Sequence, residues 1–267
     1  SFAKVPYGTW IIREIESPKG YVLSEEEIAV TIGKVNEVVE IELVNYFIKG
    51  NIALTKVDED YPDNKLSGAV FEVYSDTNGD GKLDKDDTLL GEMKELDGGV
   101  YQMSELRYGK YLVKETKAPT GFVLDENVYS VSVEENGKTY TVENKAGVGF
   151  INAAQKGSLK IVKTSSDGKV EGFSFRVTGV DYDQTFKTDK NGEIVIEGLR
   201  IGDYTVSEVS DKASAGYILP ADKQATVKVD ATAIVQMHNE FRDTPKTGDD
   251  FNLGLWVSLA ALSVVGA

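Results

Sequence analysis

The chain has 267 residues, with 44 acidic and 29 basic side chains, a formal charge of −15 and 41% hydrophobic residues. That length allows roughly two domains and the hydrophobic fraction suffices for packed cores, while the acidic excess excludes nucleic acid as a partner, because phosphate binding needs an excess of Lys and Arg. There is no cysteine and His238 is the only histidine, which removes disulfide frameworks, thiolate zinc sites, cysteine nucleophiles and multi-histidine metal centres, and leaves almost nothing for Ser–His–Asp catalysis.

The chain opens at Ser1 without an apolar leader, and its first elements already belong to a repeat. Gly8-Thr-Trp-Ile-Ile-Arg-Glu14 recurs as Gly109-Lys-Tyr-Leu-Val-Lys-Glu115 and Gly202-Asp-Tyr-Thr-Val-Ser-Glu208. Each is followed by Gly and an aromatic: Gly20-Tyr21, Gly121-Phe122 and Gly216-Tyr217. Lys49-Gly50-Asn-Ile-Ala-Leu-Thr-Lys56 matches Lys156-Gly157-Ser-Leu-Lys-Ile-Val-Lys163. Fixed recurrences of this kind mark a repeat architecture. Residues 1–48 therefore read as the C-terminal half of one unit. Residues 49–155 read as a complete unit with an acidic loop insertion, 156–242 as a second complete unit, and 243–267 as a C-terminal signal with a shortened apolar span. Within each unit, short runs alternate apolar and polar residues with period two and end at Gly, Asn or Asp, which is strand patterning. No convincing 3.6-residue apolar stripe occurs before residue 250. The predicted fold class is all-β: tandem Ig-like or prealbumin-like β-sandwich repeats, strung into a rod, followed by a short C-terminal motif and a hydrophobic helix.

Strand parity places three polar residues per unit on the apolar phase. Lys56 is in phase with Ile52 and Leu54, and Lys163 with Leu159 and Ile161. Glu14 follows Trp10 and Ile12, Glu115 follows Tyr111 and Val113, and Glu208 follows Tyr204 and Val206. Asn45 follows Ile41 and Leu43, Asn152 follows Phe150, and Asn239 follows Val235 and Met237. Alternate strand residues face one side, so each complete unit points one Lys, one Glu and one Asn at its core. Glu and Asn are 31 residues apart in the first and last units and 37 in the middle one. Unpaired, such groups are expensive to bury. They are either a buried Lys–Glu ion pair with an Asn hydrogen bond, residues of a solvated face, or a reactive trio. Desolvation drives Lys toward its neutral, nucleophilic amine and Glu toward its protonated acid. The acid can polarise the Asn carbonyl and move protons. The product would be a Lys–Asn amide, with loss of ammonia, tying the first strand to the last.

The Lys-Gly openings, the segment Tyr111-Leu-Val-Lys-Glu115-Thr-Lys-Ala-Pro119-Thr-Gly-Phe122 and the closing Asn resemble the collagen-adhesin B-type (Cna B-type, SpaA-like pilin) domain. The resemblance spans about residues 1–242 and implies stalk domains of Gram-positive adhesins and pilins. It also implies isopeptide bonds between Lys56 and Asn152 and between Lys163 and Asn239, promoted by Glu115 and Glu208. Glu14 and Asn45 match the partial unit, whose Lys lies outside the chain. The last unit lacks the Pro found at Pro18 and Pro119.

The middle unit alone carries Asp76-Thr-Asn78-Gly-Asp80-Gly81-Lys82-Leu83-Asp84-Lys-Asp-Asp87. Oxygen side chains at loop positions 1, 3, 5, 9 and 12, Gly81 at the sharp turn and the Lys82 carbonyl position match calcium-loop spacing. Asp87 stands where a bidentate Glu is usual. The expectation is an EF-like calcium loop grafted between two strands, against the alternative of a solvated acidic hairpin.

Near the end, Thr244-Pro245-Lys246-Thr247-Gly248 precedes an uncharged run over 251–267, at the short edge of what spans a bilayer. The motif resembles the Leu-Pro-x-Thr-Gly sorting signal, with Thr244 in place of Leu and no basic tail. That resemblance implies a secreted protein that spans the membrane before processing. A sortase would then join Thr247 to peptidoglycan or to another pilin. An ordinary membrane anchor is the alternative. Overall, the sequence favours the wall-proximal stalk of a surface adhesin. A pilin subunit, a module binding host matrix or glycan, and the stalk of an extracellular enzyme stay open. No enzymatic turnover is expected, because self-cross-linking is a single event within the chain.

Overall fold

The computed structural model describes residue 2 and residues 4–242. The expected sorting signal, Thr244–Gly248, and the apolar run 251–267 lie outside the described residues. Among the described residues every regular element is a β-strand, and no helix is long and apolar enough to cross a membrane. The chain divides into two compact units, residues 1–155 and 156–267.

In the first unit, β1 (Gly8–Arg13) and β2 (Glu27–Ile32) form an antiparallel pair. Residues 33–46 carry no strand, although the alternation at Ile41, Leu43 and Asn45 suggested one. These apolar side chains stay partly exposed, as do Trp10 and Val44. Nine strands follow: β3 (Lys49–Asp58), β4 (Val70–Ser75), β5 (Thr88–Glu92), β6 (Lys94–Glu95), β7 (Val100–Arg107), β8 (Gly109–Lys117), β9 (Val128–Val133), β10 (Thr139–Thr141) and β11 (Phe150–Asn152). One sheet runs β10-β3-β7-β6, with β11 also on β3, and the other runs β5-β4-β8-β9. Their facing residues, among them Ile52, Leu54, Phe71, Tyr101, Val113 and Phe150, form one core. The Phe71 ring meets the rings of Phe150 and Tyr101 edge-on at 4.9 and 5.1 Å, a favoured aromatic geometry.

The second unit contains β12 (Lys156–Ser165), β13 (Ser174–Gly179), β14 (Tyr182–Lys187), β15 (Glu193–Arg200), β16 (Gly202–Val209), β17 (Tyr217–Ile218), β18 (Lys223–Val227) and β19 (Thr232–Phe241). Its sheets are β15-β12-β19-β17 and β14-β13-β16-β18, closed over Leu159, Ile161, Phe175, Val177, Val206 and Met237.

Two sequence recurrences have local structural causes. The Lys-Gly openings place Gly50 and Gly157 at irregularities of β3–β7 and β12–β15. A Cβ there would lie 2.8 Å from the Lys138 carbonyl or 2.1 Å from the Lys228 carbonyl, so only glycine lets the backbones approach. The Gly-x-Tyr openings of β8 and β16 place tyrosine hydroxyls that donate four residues back, Tyr111 to the Arg107 carbonyl at 2.6 Å and Tyr204 to the Arg200 carbonyl at 2.8 Å.

Candidate functional site

In each complete unit the first and last strands of one sheet run parallel. Lys56 on β3 pairs with Phe150 on β11, and Asn152 is one pair further along the same face. Lys163 on β12 pairs with Met237 on β19, and Asn239 is again one pair further along. The glutamate comes from the opposite sheet: Glu115 on β8 pairs with Phe71, and Glu208 on β16 pairs with Phe175. The same two registers therefore bring Lys, Asn and Glu into the space between the sheets twice.

Side-chain bonds close these arrangements. Asn152 Nδ2 donates to both Glu115 oxygens, at 3.0 and 2.9 Å. Asn239 Nδ2 donates to Glu208 Oε1 at 2.7 Å. Lys56 Nζ donates to the Phe150 carbonyl at 3.0 Å and lies 5.5 Å from that ring's centroid. Lys163 Nζ donates to the Thr164 carbonyl and lies over the Phe173 ring at 4.2 Å. Lys56, Glu115 and Asn239 have no exposed surface, and Lys163 and Asn152 almost none. Glu208 is half-buried.

Burial shifts each titrating group of the two trios toward its neutral form. It lowers the Lys56 amine to about 8, against the opposing pull of Glu115, Asp125 and Asp58. It also lowers Lys163, against Glu208 and Asp167. Burial raises Glu115, against hydrogen bonds from the Asp125 amide and Asn152 and the charge of Lys56. Burial likewise raises Glu208, against Asn239 and Lys163. All four shifts favour a neutral amine beside a protonated acid. The Asn152 and Asn239 Oδ1 atoms and Glu208 Oε2 are buried without a hydrogen-bond partner. An unsatisfied buried oxygen is costly, so the Asn carbonyls are open to a donor.

An amide from these groups would balance its atoms as follows. The ammonium of Lys56 would first pass one proton to the Glu115 carboxylate. The neutral Nζ would then attack Asn152 Cγ. Glu115 would take a second Nζ proton as it delivered one to Nδ2, and the Cγ–Nδ2 bond would break. The products would be one amide, one ammonia and a protonated Glu115, and the same count would hold for Lys163, Glu208 and Asn239.

The partial unit keeps the acid and the amide. Asn45 Nδ2 donates to both Glu14 oxygens at 2.8 Å. The Ser24 amide donates to Glu14 Oε2 at 2.8 Å, as the Asp125 amide does to Glu115 Oε2. Both donors stand ten residues after their glutamate, a spacing the sequence carries but strand parity does not single out. The last unit lacks this donor: the segment after β16 is instead folded around Asp211, which accepts from the Ala213 and Ser214 amides and from Ser174 Oγ. Parity gave no sign of Asp125 and Asn144, because both lie in irregular segments. The Asp125 carboxylate accepts from Asn144, Tyr129 and Asn127. Burial raises its pKa, but those bonds outweigh burial and leave it below the usual range.

In the acidic loop, the expected ligand side chains hold the turn itself. Asp76 accepts the amides of Gly79 and Gly81 at 2.7 and 3.2 Å. Asn78 accepts the Asp80 amide, Asp80 accepts that of Lys82, Asp84 that of Asp86, and Asp87 those of Thr77 and Asp84. Among the described residues no group of three or more Asp, Glu or His side chains is arranged to hold a metal ion.

A family model described as SpaA, prealbumin-like fold domain, matches residues 1–46, 50–146 and 157–241. Among solved structures, the Bacillus anthracis TIE protein is similar with a TM-score of 0.67 and 26% identity, over 89% of this chain and 42% of that one. The chain thus spans less than half of that protein's length. The minor pilin GBS52 of Streptococcus agalactiae is more distant, with a TM-score of 0.33, 17% identity, and coverage of 74% of this chain and 98% of that one. The shaft pilin SpaA of Lactobacillus rhamnosus GG has a TM-score of 0.34, 15% identity, and coverage of 73% and 98%. No curated protein matches the chain.

Proposed function

Because the chain belongs to the family of SpaA prealbumin-like fold domains, we propose that its two complete units are stalk domains of a Gram-positive surface protein, each closed by a Lys–Asn isopeptide bond. One observation carries this reading. A buried lysine, a carboxyl raised by burial and an asparagine bonded to that carboxyl recur in the same strand registers of both units. An ion pair alone gives no reason for an asparagine carbonyl to be left without a donor in each unit. Amide formation removes both charges from the core, so burial ceases to be costly.

Intact-mass spectrometry of the chain tests this. Each bond removes one ammonia, about 17 Da. The expected deficit is about 34 Da, halved by Glu115→Ala and halved by Glu208→Ala. The full calculated mass would reduce both trios to ion pairs.

The same reading assigns Thr244–Gly248 as a sortase signal, with Thr247 joined to peptidoglycan, and places the protein on the cell wall. Thr247→Ala should move the protein from the wall fraction to the membrane and medium of a sortase-bearing host. Equal wall retention would discard the assignment. Calcium at residues 76–87 is a separate proposal. It requires the carboxylates to turn from their own amides toward the ion.

A further inference from the structure

The two complete units hold their asparagine in different ways. In the last unit Asn239 sits on a ten-residue strand that pairs continuously with β12 from Ser158–Thr232 to Ser165–Asn239. In the middle unit that strand is broken. β10 pairs with β3 at Asn51–Ala53, the chain leaves the sheet, and β11 returns for three residues only. So short a strand is a weak platform for a reacting amide.

A side-chain clamp makes up for it. Asn144 Oδ1 accepts the Ile151 amide at 2.6 Å, and Asn144 Nδ2 donates to the Ile151 carbonyl at 2.9 Å. One side chain thus bonds both backbone groups of Ile151, as a neighbouring strand would. Ile151 is the residue between Phe150, whose carbonyl holds Lys56, and Asn152, whose amide is attacked. Asn144 is held in turn by Asp125, whose Oδ2 accepts from Asn144 Nδ2 at 2.8 Å and from the Tyr129 hydroxyl at 2.7 Å. The Asp125 backbone amide donates to Glu115 Oε2 at 2.8 Å. A single residue therefore fixes the acid through its main chain and the asparagine strand through its side chain. Asp125, Asn144 and Asn152 also line an open cleft of about 360 Å³.

We propose that Asp125 and Asn144 are positioning residues for the Lys56–Asn152 cross-link of the middle unit, doing with side chains what continuous strand pairing does in the last unit. The inference rests on the isopeptide reading above. It extends that reading by predicting that the two bonds depend on different residues.

The experiment follows ammonia loss in the full chain after cell-free synthesis, by intact mass over time, with peptide mapping to assign each loss to its unit. Asn144→Ala and Asp125→Ala should each slow bond formation in the middle unit by about tenfold or more, since small misplacements of reacting groups cost at least that much. The bond in the last unit, in the same molecule, should form at its unsubstituted rate. Asn144→Asp separates positioning from loss of folding. Beside Asp125 its carboxyl shares a proton, and the protonated form restores a donor to Ile151 or Asp125. Relative to the unsubstituted chain at the same pH, the Asn144→Asp chain should therefore close its middle unit with a smaller defect at about pH 5 than at about pH 8, whereas Asn144→Ala should show no such acid rescue. Unsubstituted rates in both alanine variants, or acid rescue equal in Asn144→Ala and Asn144→Asp, would overturn the clamp while leaving the cross-link standing. A full calculated mass for the unsubstituted chain would overturn the cross-link itself, and the clamp with it.

Discussion

If Lys56 forms the proposed amide it ceases to titrate, so a chain deprived of the amide acceptor should carry a pH signature that the unsubstituted chain lacks. In Asn152→Ala the amine persists in the core, with its pKa lowered from 10.5 to about 8 by burial. Between those values the unfolded chain carries a proton that the folded chain does not, so unfolding takes up a proton and stability rises with pH. Comparing Asn152→Ala with Asn152→Ala/Lys56→Met by urea unfolding isolates this residue from the other groups that titrate there. The single variant should gain up to about 3 kcal/mol relative to the double variant across that window. A flat difference would mean that Lys56 keeps an ordinary amine in the folded chain. The sign is opposite for Glu115, whose raised pKa makes its contribution full at low pH and lost as pH rises through the folded value. These residues were legible because alternate strand residues share a face, so a Lys, Glu or Asn on the apolar phase stands out, even where, as at Asn45, no strand forms. Asp125 and Asn144 were not legible. They act from irregular segments, where no period links a residue's position to the direction of its side chain.

Element boundaries were legible where alternation and turn residues agreed, as in β3, β8, β12 and β16. They were not legible at β10 and β11, where an inserted turn splits one strand into two short pieces. Nor did alternation at 41–45 yield a strand, because alternation states which face a residue would take and not whether a neighbour is there to pair. Glycine use gives an element-scale test. Gly157 and Gly109 both have backbones open to any residue, yet a Cβ at Gly157 would lie 2.1 Å from a carbonyl, and one at Gly109 no closer than 3.8 Å to any neighbouring atom. Gly157→Ala should therefore lose at least about 2 kcal/mol through forced separation of the backbones. Gly109→Ala should stay within about 0.5 kcal/mol. Equal unfolding midpoints for the two would remove close approach as the reason for the Lys-Gly opening. The 76–87 loop has its own test. If calcium draws Asp76, Asp80, Asp84 and Asp87 inward, saturating ion at about 100 times its Kd should stabilise the first unit by about 2.7 kcal/mol, and a chelator should reverse the gain. It should also slow proteolysis within the loop. No change in either at millimolar calcium would leave the loop a hairpin held by its own amides.

At the scale of the whole chain, the parallel pairing of first and last strands decides how force passes through each unit. Tension enters a unit at the start of its first strand and leaves at the end of its last. Because the two strands run in the same direction, pulling shears β3 against β10 and β11, and β12 against β19. Shear loads many hydrogen bonds together, but once they break the strands between unravel. An amide from Lys56 to Asn152, or from Lys163 to Asn239, gives tension a covalent path around every residue in between. At about 3.5 Å per extended residue, the bypassed segments correspond to roughly 33 nm in the middle unit and roughly 26 nm in the last. Single-molecule stretching of the unsubstituted chain should show neither release. Glu115→Ala should restore only the longer one and Glu208→Ala only the shorter. Because the two lengths differ, each event reports its own unit without further labelling. Both releases in the unsubstituted chain would mean that the core trios hold by charge and hydrogen bonding alone, and a stalk built that way would lengthen under load instead of transmitting it.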